Sequence, residues 1–282
     1  MTAAAATTTG SAKVPLRDRI DAMPTWMGAA IGVVAIVALW WLASALLFRA
    51  SQAIPSPPKV IGYFFSASEW STTLSNLSGT LAAAGQGYLW GNLLAFLLAA
   101  LVLLIPRLEQ VATQMAIVTY CIPLVAIGPI LVVVAGRMQA PQAPSIVLAG
   151  LSVFFTSVVG ALLGLRAAPR TSMDVIKAYG GSRLTALVKV QLISALPNIF
   201  AALKIAAPAA FLGAVLAEYL GSGGDASLGR ALIAAQSTAD GPRLWYLALV
   251  SGAVAGLAYA LIGLIGRLVT PWSSGTPEGG RP

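Results

Sequence analysis

The side chains that can do chemistry are few in this sequence. Its 282 residues contain no histidine and one cysteine, Cys121, which excludes histidine-dependent triads, His or Cys metal sites, haem ligation and an intrachain disulfide. Inside the long apolar stretches the ionisable residues are Lys204 and Glu218, and these are too few for the paired carboxylates or the Ser–Lys pair of an intramembrane enzyme. The phosphate-binding pattern G-x-x-x-x-G-K-[ST] is absent from the sequence. We therefore assign no catalytic residue, metal ligand or cofactor to this chain.

The composition indicates a membrane protein. Hydrophobic residues make up 58% and charged residues 9% of the chain, and the mean hydropathy is +0.84. A soluble domain carries about a quarter charged residues, so the apolar excess is expected to face lipid. The 17 Lys and Arg against 9 Asp and Glu lie between long apolar runs, a pattern typical of a positive-inside membrane protein and not of a nucleic-acid-binding one.

Six stretches approach the roughly 20 apolar residues that a membrane-spanning helix needs. The predicted spans are residues 27–48, 81–105, 110–136, 138–165, 196–217 and 244–266. The fifth is the weakest because it contains Lys204 and ends at Glu218, but six spans place both termini on one side of the membrane. The sequence thus predicts an all-α integral membrane protein with about six transmembrane helices.

The basic residues orient these helices. One side receives eleven: Lys13, Arg17, Arg19, Arg107, Arg166, Arg170, Lys177, Arg183, Lys189, Arg267 and Arg281. The other side receives five: Arg49, Lys59, Arg137, Arg230 and Arg243. Because Lys and Arg are enriched on the cytoplasmic side, we expect a multi-pass plasma-membrane protein with both termini in the cytoplasm.

The segments that flank the spans are predicted from their composition. Residues 1–25 form a flexible basic cytoplasmic tail, residues 26–272 the membrane domain, and the Gly/Pro-rich residues 273–282 a second flexible tail. An amphipathic stretch with Phe64, Phe65 and Trp70 is expected along the outer membrane interface. Four glycine pairs at i, i+4 spacing are interpreted as helix-packing contacts: Gly28 and Gly32, Gly87 and Gly91, Gly160 and Gly164, Gly252 and Gly256.

The most informative segment is the cytoplasmic loop of residues 167–195. A short helix follows Pro169, with Thr171 or Ser172 as its cap and Asp174 near its positive end. It is expected to stop at Gly180-Gly181, where left-handed backbone angles cost little, and Ser182 can cap a second helix. That second helix is amphipathic and is expected to run along the membrane and turn upward near Leu196-Pro197. The result is a rigid projection suited to docking a soluble partner.

This loop resembles the EAA loop of ATP-binding-cassette (ABC) importer permeases. Asp174, Gly180 and Leu192 match its spacing, in which an acidic residue is followed six positions on by glycine and then by a hydrophobic-x-Leu-Pro element. Val175 and Ile176 replace two alanines that the family often carries, and Ile193 replaces a proline. Over residues 54–221 the chain is similar to the aliphatic sulfonate, nitrate and taurine branch, with a Pro-Ser-Pro segment at 55–57 and a proline-broken third helix.

The resemblance implies a type I importer fold and a transport subunit without its own ATPase site. Paired permease subunits, here a homodimer, would dock separate ABC ATPase subunits that use ATP, and an extracytoplasmic binding protein would deliver a small organic or anionic solute. The implied partners also include membrane lipid and exclude nucleic acid. The implied ATPase-docking residues are Ser172, Asp174, Val175, Ile176, Ala178, Tyr179, Gly180, Gly181 and Ser182.

Four residues are candidates for the pore or its gate: Tyr120, Pro123, Pro129 and Glu218. Glu218 can contact solute or simply reach water at the interface, and the two prolines can shape a pore wall or only bend the third helix. Lys204 is expected to extend toward the cytoplasmic headgroups, and Cys121 to be a small buried residue. The alternative function is an ion-coupled secondary transporter or a channel, which would need buried ionisable residues for ion coupling.

Overall fold

A computed structural model describes residues 24–48 and 54–275, and every regular element in these two ranges is helical. This confirms the all-α fold. The chain divides into two compact units, Met1–Ile61 and Gly62–Pro282. Residues 1–23 and 276–282, which hold most of the two predicted tails, lie outside the described ranges. A short 3₁₀ helix at Pro271–Gly275 extends regular structure past residue 273, where the second tail was expected to begin.

The first unit contains helix α1, Thr25–Leu46, which corresponds to the first predicted span. Helix α2, Pro57–Phe64, includes the boundary between the units. The second unit contains α3 (Ala67–Leu104), α4 (Glu109–Cys121), α5 (Leu124–Arg137), α6 (Ala143–Arg166), α7 (Arg170–Ala178), α8 (Arg183–Ala186), α9 (Leu192–Tyr219), α10 (Leu228–Ser237) and α11 (Gly241–Val269). A five-residue π segment, Leu187–Gln191, joins α8 to α9.

Five unbroken helices are long and apolar enough to cross a membrane: Met27–Leu46, Ala67–Leu104, Ala143–Arg166, Leu184–Tyr219 and Gly241–Val269. A sixth crossing is formed by Pro106–Cys121 and Leu124–Arg137 if this bent pair is counted as one span. The two halves meet at 85°, so the third span is not the continuous helix that residues 110–136 suggested by hydropathy alone.

The bend lies at Pro123, as expected for a proline-broken helix. Ile122 before it has an extended backbone (φ −70°, ψ 122°), which is the conformation that a following proline favours. Pro129, by contrast, lies inside the continuous helix α5. The two prolines were expected to act alike, but only Pro123 breaks the span.

Two predicted helix boundaries are wrong. Helix α3 begins at Ala67 and not near Leu81, where the second span was predicted to begin, so the Ser/Thr-rich segment before Leu81 is helical. Its buried threonines explain this, because Thr73 accepts a hydrogen bond from the Tyr246 hydroxyl at 3.2 Å. Helix α9 continues through Pro197 without the expected upward turn, and the irregular segment is the π turn about two to three helical turns earlier.

Helix α6 lies at the centre of the second unit and packs most extensively against α9 and α3. Its contacts with α3 are backbone contacts, because a Cβ added to Gly91 would lie 2.6 Å from the Gly150 carbonyl oxygen. A Cβ at Gly87 would lie 2.4 Å from the Ala149 Cβ. Small residues allow such approach where lipid provides no hydrophobic drive for helix association. The Gly87 and Gly91 pair therefore packs as predicted.

The other glycine pairs divide into two groups. Gly160 packs against Ala202 and Gly164 against Ala195, which confirms their packing role between α6 and α9. The pairs at 28 and 32 and at 252 and 256 have open space where a Cβ would lie, so within the described residues they make no close helix contact.

An aromatic cluster joins the N-terminal ends of α3 and α11. The Tyr246 ring lies with its centroid 4.7 Å from that of Phe64 and 6.3 Å from that of Trp70. The Tyr63 hydroxyl donates to the Asp240 carboxylate at 2.8 Å. Phe64 and Trp70 thus pack against α11, whereas Phe65 is 86% exposed. The amphipathic stretch is therefore attached to the helix bundle.

Gly91→Ala is expected to lower the thermal midpoint of the detergent-solubilised protein. The added methyl group overlaps the Gly150 backbone, and overpacking of this kind costs about 1–3 kcal/mol. Gly85→Ala is the matched control, because open space surrounds Gly85 and alanine is the better helix former by about 1 kcal/mol. Tryptophan fluorescence during heating measures both variants. A Gly91→Ala midpoint equal to that of Gly85→Ala would contradict the close α3–α6 contact.

Candidate functional site

The candidate docking segment begins with helix α7, which starts at Arg170, before the predicted cap residues Thr171 and Ser172. Its N-cap residue is Pro169, and no side chain caps the helix. The expectation that Thr171 or Ser172 caps it is therefore wrong, because both lie inside the first turn. Asp174 lies beyond that turn and pairs with Lys177 at 3.7 Å, with both side chains about 73% exposed. Such an exposed pair contributes little to stability.

The double-glycine turn has the predicted geometry. Gly180 has φ +71°, in the left-handed region that glycine adopts without steric cost. Its N–H donates to the Lys177 carbonyl at 3.0 Å, and the Gly181 N–H donates to the Ile176 carbonyl at 2.8 Å. This pair of bonds is a Schellman motif. Ser182 then caps the next helix, since its hydroxyl accepts from the Thr185 N–H at 3.2 Å.

The candidate docking residues lie on two faces of the segment. Asp174, Val175, Ala178 and Tyr179 are exposed, and Tyr179 reaches 89%. Gly180 and Ser182 are exposed as well, whereas Ser172, Ile176 and Gly181 are half-buried. Only the outward group presents side chains that a partner protein can contact directly.

The inner face of α7 borders a cavity of about 620 Å³. Met173 and Ile176 line it from α7, and Leu103, Leu104 and Leu162 line it from the ends of α3 and α6. An ion pair between Glu109 and Arg166 lies at its edge and joins α4 to α6. Sequence reasoning did not identify Met173 or this ion pair, because neither stands in a recognisable motif.

Glu218 is buried, with 1% of its surface exposed, so the interpretation that it reaches water is wrong. Its carboxylate accepts hydrogen bonds from the Thr80 hydroxyl at 2.8 Å and the Gly229 N–H at 3.0 Å. The Thr80 oxygen in turn accepts from the Leu228 N–H at 2.9 Å. Glu218 thereby connects the N-terminus of α10 to α9 and α3. A carboxylate at this position is stabilised by the positive end of the helix dipole.

The other candidate pore residues lie on the bent pair. Tyr120 is 70% exposed, and its ring centroid lies 4.7 Å from that of Phe155 on α6. Pro123 forms the bend beside it, and Pro129 follows one and a half turns into α5. Tyr120 and Pro123 are therefore neighbours, whereas the Glu218 carboxylate is hydrogen-bonded to Thr80 and Gly229. Cys121 is exposed and not buried, contrary to expectation.

The Lys204 side chain lies against α11, and its extension toward the cytoplasmic headgroups stays a prediction. Its Nζ lies 4.2 Å from the centroid of the Tyr259 ring on α11. A lysine in the middle of a spanning helix costs about 2.5–3.5 kcal/mol, and a cation–π contact returns only about 0.5–2 kcal/mol. The placement of Tyr259 beside Lys204 is a tertiary contact that the sequence does not indicate.

Similarity to known proteins identifies the family of this chain. A model of the family described as "Binding-protein-dependent transport system inner membrane component" matches residues 91–274. The chain belongs to this family. It is a multi-pass membrane protein and a permease subunit of an ABC importer, as the EAA-like loop indicated.

Individual relatives agree with this family. A probable ABC transporter permease protein of Haemophilus influenzae is 30% identical over 66% of this chain and 74% of its own length. A riboflavin transport system permease protein of Chloroflexus aurantiacus is 26% identical, with 88% of this chain and 91% of the relative covered. A putative aliphatic sulfonates transport permease protein of Bacillus subtilis is 23% identical, with 88% of each covered. The sulfonate branch is thus one of several that this chain resembles.

The fold also matches a solved structure. The inward-facing MetNI methionine ABC transporter aligns with a TM-score of 0.59 at 18% identity, covering 73% of this chain and all (100%) of the matched chain. At this identity the match concerns the fold alone, and it confirms the type I importer architecture.

Thr80→Val is expected to loosen the attachment of α10 to α3 and α9. The change leaves the Leu228 N–H without its acceptor and removes one donor from the buried Glu218 carboxylate, and each loss of this kind costs about 1–3 kcal/mol. Hydrogen exchange of the Leu228 and Gly229 amides should accelerate.

Thr72→Val is the control for this experiment, because its exposed hydroxyl donates only to the Ser68 carbonyl of its own helix. Its effect should stay below about 0.5 kcal/mol. Equal exchange rates in the two variants would show that the Thr80–Glu218 network does not hold α10.

Proposed function

We propose that two copies of this chain form the translocation pathway of an importer for a small organic or anionic solute. An extracytoplasmic binding protein delivers the solute, and separate ATPase subunits bind ATP and dock on the segment from α7 to α8. The observation that carries the docking proposal is the exposed face of α7, where Tyr179 and Val175 project outward from a helix fixed at its C-terminus.

A rigid docking element can transmit motion to the membrane helices. The Schellman turn at Gly180 and the cap at Ser182 fix the angle between α7 and α8. Helix α8 continues through the π segment into α9, a span of 36 residues from Leu184 to Tyr219. A displacement of α7 by an ATPase would therefore move α9 as a body, which is the kind of rigid-element coupling that switching proteins use.

The charge distribution supports placing this segment and both termini in the cytoplasm. Five of the 17 basic residues lie between positions 166 and 189: Arg166, Arg170, Lys177, Arg183 and Lys189. Since Lys and Arg accumulate on the cytoplasmic side, the docking face would lie where ATP is available. The sequence has no P-loop of its own, which fits a division of labour with an ATPase partner.

The range of related permeases supports a small solute without naming it. One relative is named for riboflavin and another for aliphatic sulfonates. We favour sulfonate, nitrate, taurine or a similar small nutrient because of the Pro-Ser-Pro segment and the broken third helix. The exposed apolar residues Val118, Tyr120 and Val125 near the bend are available to a second copy of the chain.

Tyr179→Ala is expected to reduce the capture of ATPase subunits by roughly tenfold or more. An aromatic side chain buried at a protein interface commonly contributes about 2 kcal/mol, and Tyr179 is the most exposed large side chain of the docking face. Co-purification of the ATPase with tagged permease from membranes measures the effect. A second variant, Gly180→Trp, should also weaken capture because φ +71° disfavours a side chain.

Phe65→Ala is the matched control, since Phe65 is an equally exposed aromatic (86%) in the segment assigned to the outer side. It should leave ATPase capture unchanged. The docking proposal is wrong if Tyr179→Ala and Gly180→Trp both retain full capture and transport. Uptake that survives ATP depletion and collapses with the proton gradient would instead support an ion-coupled transporter.

A further inference from the structure

The Lys204 side chain lies against two residues of α11, Tyr259 and Gly263. Its Nζ lies 4.2 Å from the Tyr259 ring centroid, and its Cε would be 3.0 Å from a Cβ at Gly263. The absence of a side chain at Gly263 leaves the space along which the lysine stem lies. Tyr259 is itself 43% exposed, and Lys204 is half-buried. The ammonium group is therefore held at a surface of the helix bundle and not inside its core.

The contact of Lys204 with α11 lies inside that helix and not at its end. Arg267 marks the cytoplasmic end of α11, and Tyr259 precedes it by eight residues, or about 12 Å along the helix. Phe200 packs beside Gly266, one turn nearer that end than the Lys204 contact at Gly263. The Lys204 ammonium group thus contacts α11 between Gly263 and Tyr259, about one to two turns before Arg267.

The ammonium group also has no carboxylate to neutralise it. In the described parts of the chain the four ion pairs involve other residues, and no acid lies within 4.0 Å of Lys204 Nζ. Glu218, the other ionisable residue of this span, is engaged by Thr80 and Gly229. Lipid is a poor environment for such a group, because a cation–π contact offsets only part of the cost of burial in hydrocarbon. Lys204 is only half-buried, so the exposed part of its side chain is open to water or to an anion.

We propose that Lys204 and Tyr259 form an anion-binding subsite on a water-filled stretch of the translocation pathway, suited to a sulfonate, phosphate or carboxylate group on a small organic solute. This inference rests on the proposed function, because it requires that the exposed face of α9 and α11 line a pathway and not lipid. The ammonium group attracts the anion, and the edge of the Tyr259 ring provides an apolar wall for the carbon part of the solute. Gly263 keeps the lysine aligned with the ring.

Cysteine accessibility tests the subsite in the assembled complex. In a Cys121→Ser background, Tyr259→Cys places a thiol beside Lys204. The probes are two water-soluble methanethiosulfonates, the anionic sulfonatoethyl and the cationic trimethylammonioethyl reagent, applied to membrane vesicles with and without ATP. The anionic reagent is expected to react roughly fivefold faster, because a unit positive charge lies within a few ångströms of the thiol. Adding Lys204→Gln should bring the ratio of the two rates close to that of a free thiol.

Leu261→Cys is the matched control, because Leu261 is exposed (59%) two residues away and points to a different side of α11. It should react with neither reagent. Lys204→Arg should preserve the preference for the anionic reagent, which separates a role of charge from one of packing. The subsite proposal is overturned if Tyr259→Cys is unreactive with and without ATP, or if Lys204→Gln leaves the preference unchanged.

ATPase co-purification of every variant separates this result from the proposed function. Variants that capture the ATPase but lack the preference would refute the subsite and leave the importer mechanism standing. If Tyr259→Cys does not assemble, Lys204→Cys replaces it, and its reaction with either reagent tests whether this face contacts water. Failure of the unmodified chain to capture any ATPase would refute the proposed function itself.

Discussion

Close approach of helix backbones is the constraint on which this structure depends. In lipid every backbone polar group must bond within its own helix, so packing between helices supplies much of the tertiary stability. Gly87 and Gly91 on α3 lie against Gly150 on α6, while Gly160 and Gly164 lie against Ala202 and Ala195 on α9. Helix α6 thereby holds both neighbours. The positions of the docking loop and of the intramembrane polar residues follow from this three-helix contact.

The docking segment is held in place by the contact between α6 and α9. Helix α6 ends at Arg166, only four residues before α7 begins, and α8 leads directly into α9. The segment is therefore attached at both ends to the two helices that pack most closely. Its own turn is closed by the Gly180 and Gly181 hydrogen bonds. The cavity beneath Met173 and Ile176 leaves the inner face of α7 incompletely packed, so the attachment at the two ends positions the helix.

The two ionisable residues of the fifth span show how differently the membrane accommodates charge. Glu218 accepts hydrogen bonds from donors on α3 and α10 and has a structural role where α10 meets α3 and α9. Lys204 lies against the Tyr259 ring and Gly263 and is partly exposed. The Glu218 carboxylate has hydrogen-bond donors within the chain, whereas the Lys204 ammonium group has no carboxylate partner among the described residues. Of the two residues, Lys204 is therefore the one available to a group outside the chain.

The sequence by itself determined the membrane class, the approximate number of spans and the turn at Gly180-Gly181, because hydropathy, span length and glycine backbone freedom are local properties. It also indicated the break at Pro123, since the residue before a proline favours extended geometry. Only the tertiary structure decided that Pro129 and Pro197 leave their helices unbroken, that Glu218 meets Thr80 at a separation of 138 residues, and that Lys204 turns toward Tyr259. These outcomes depend on which helices become neighbours, and that choice is made by backbone contacts between residues far apart in the chain.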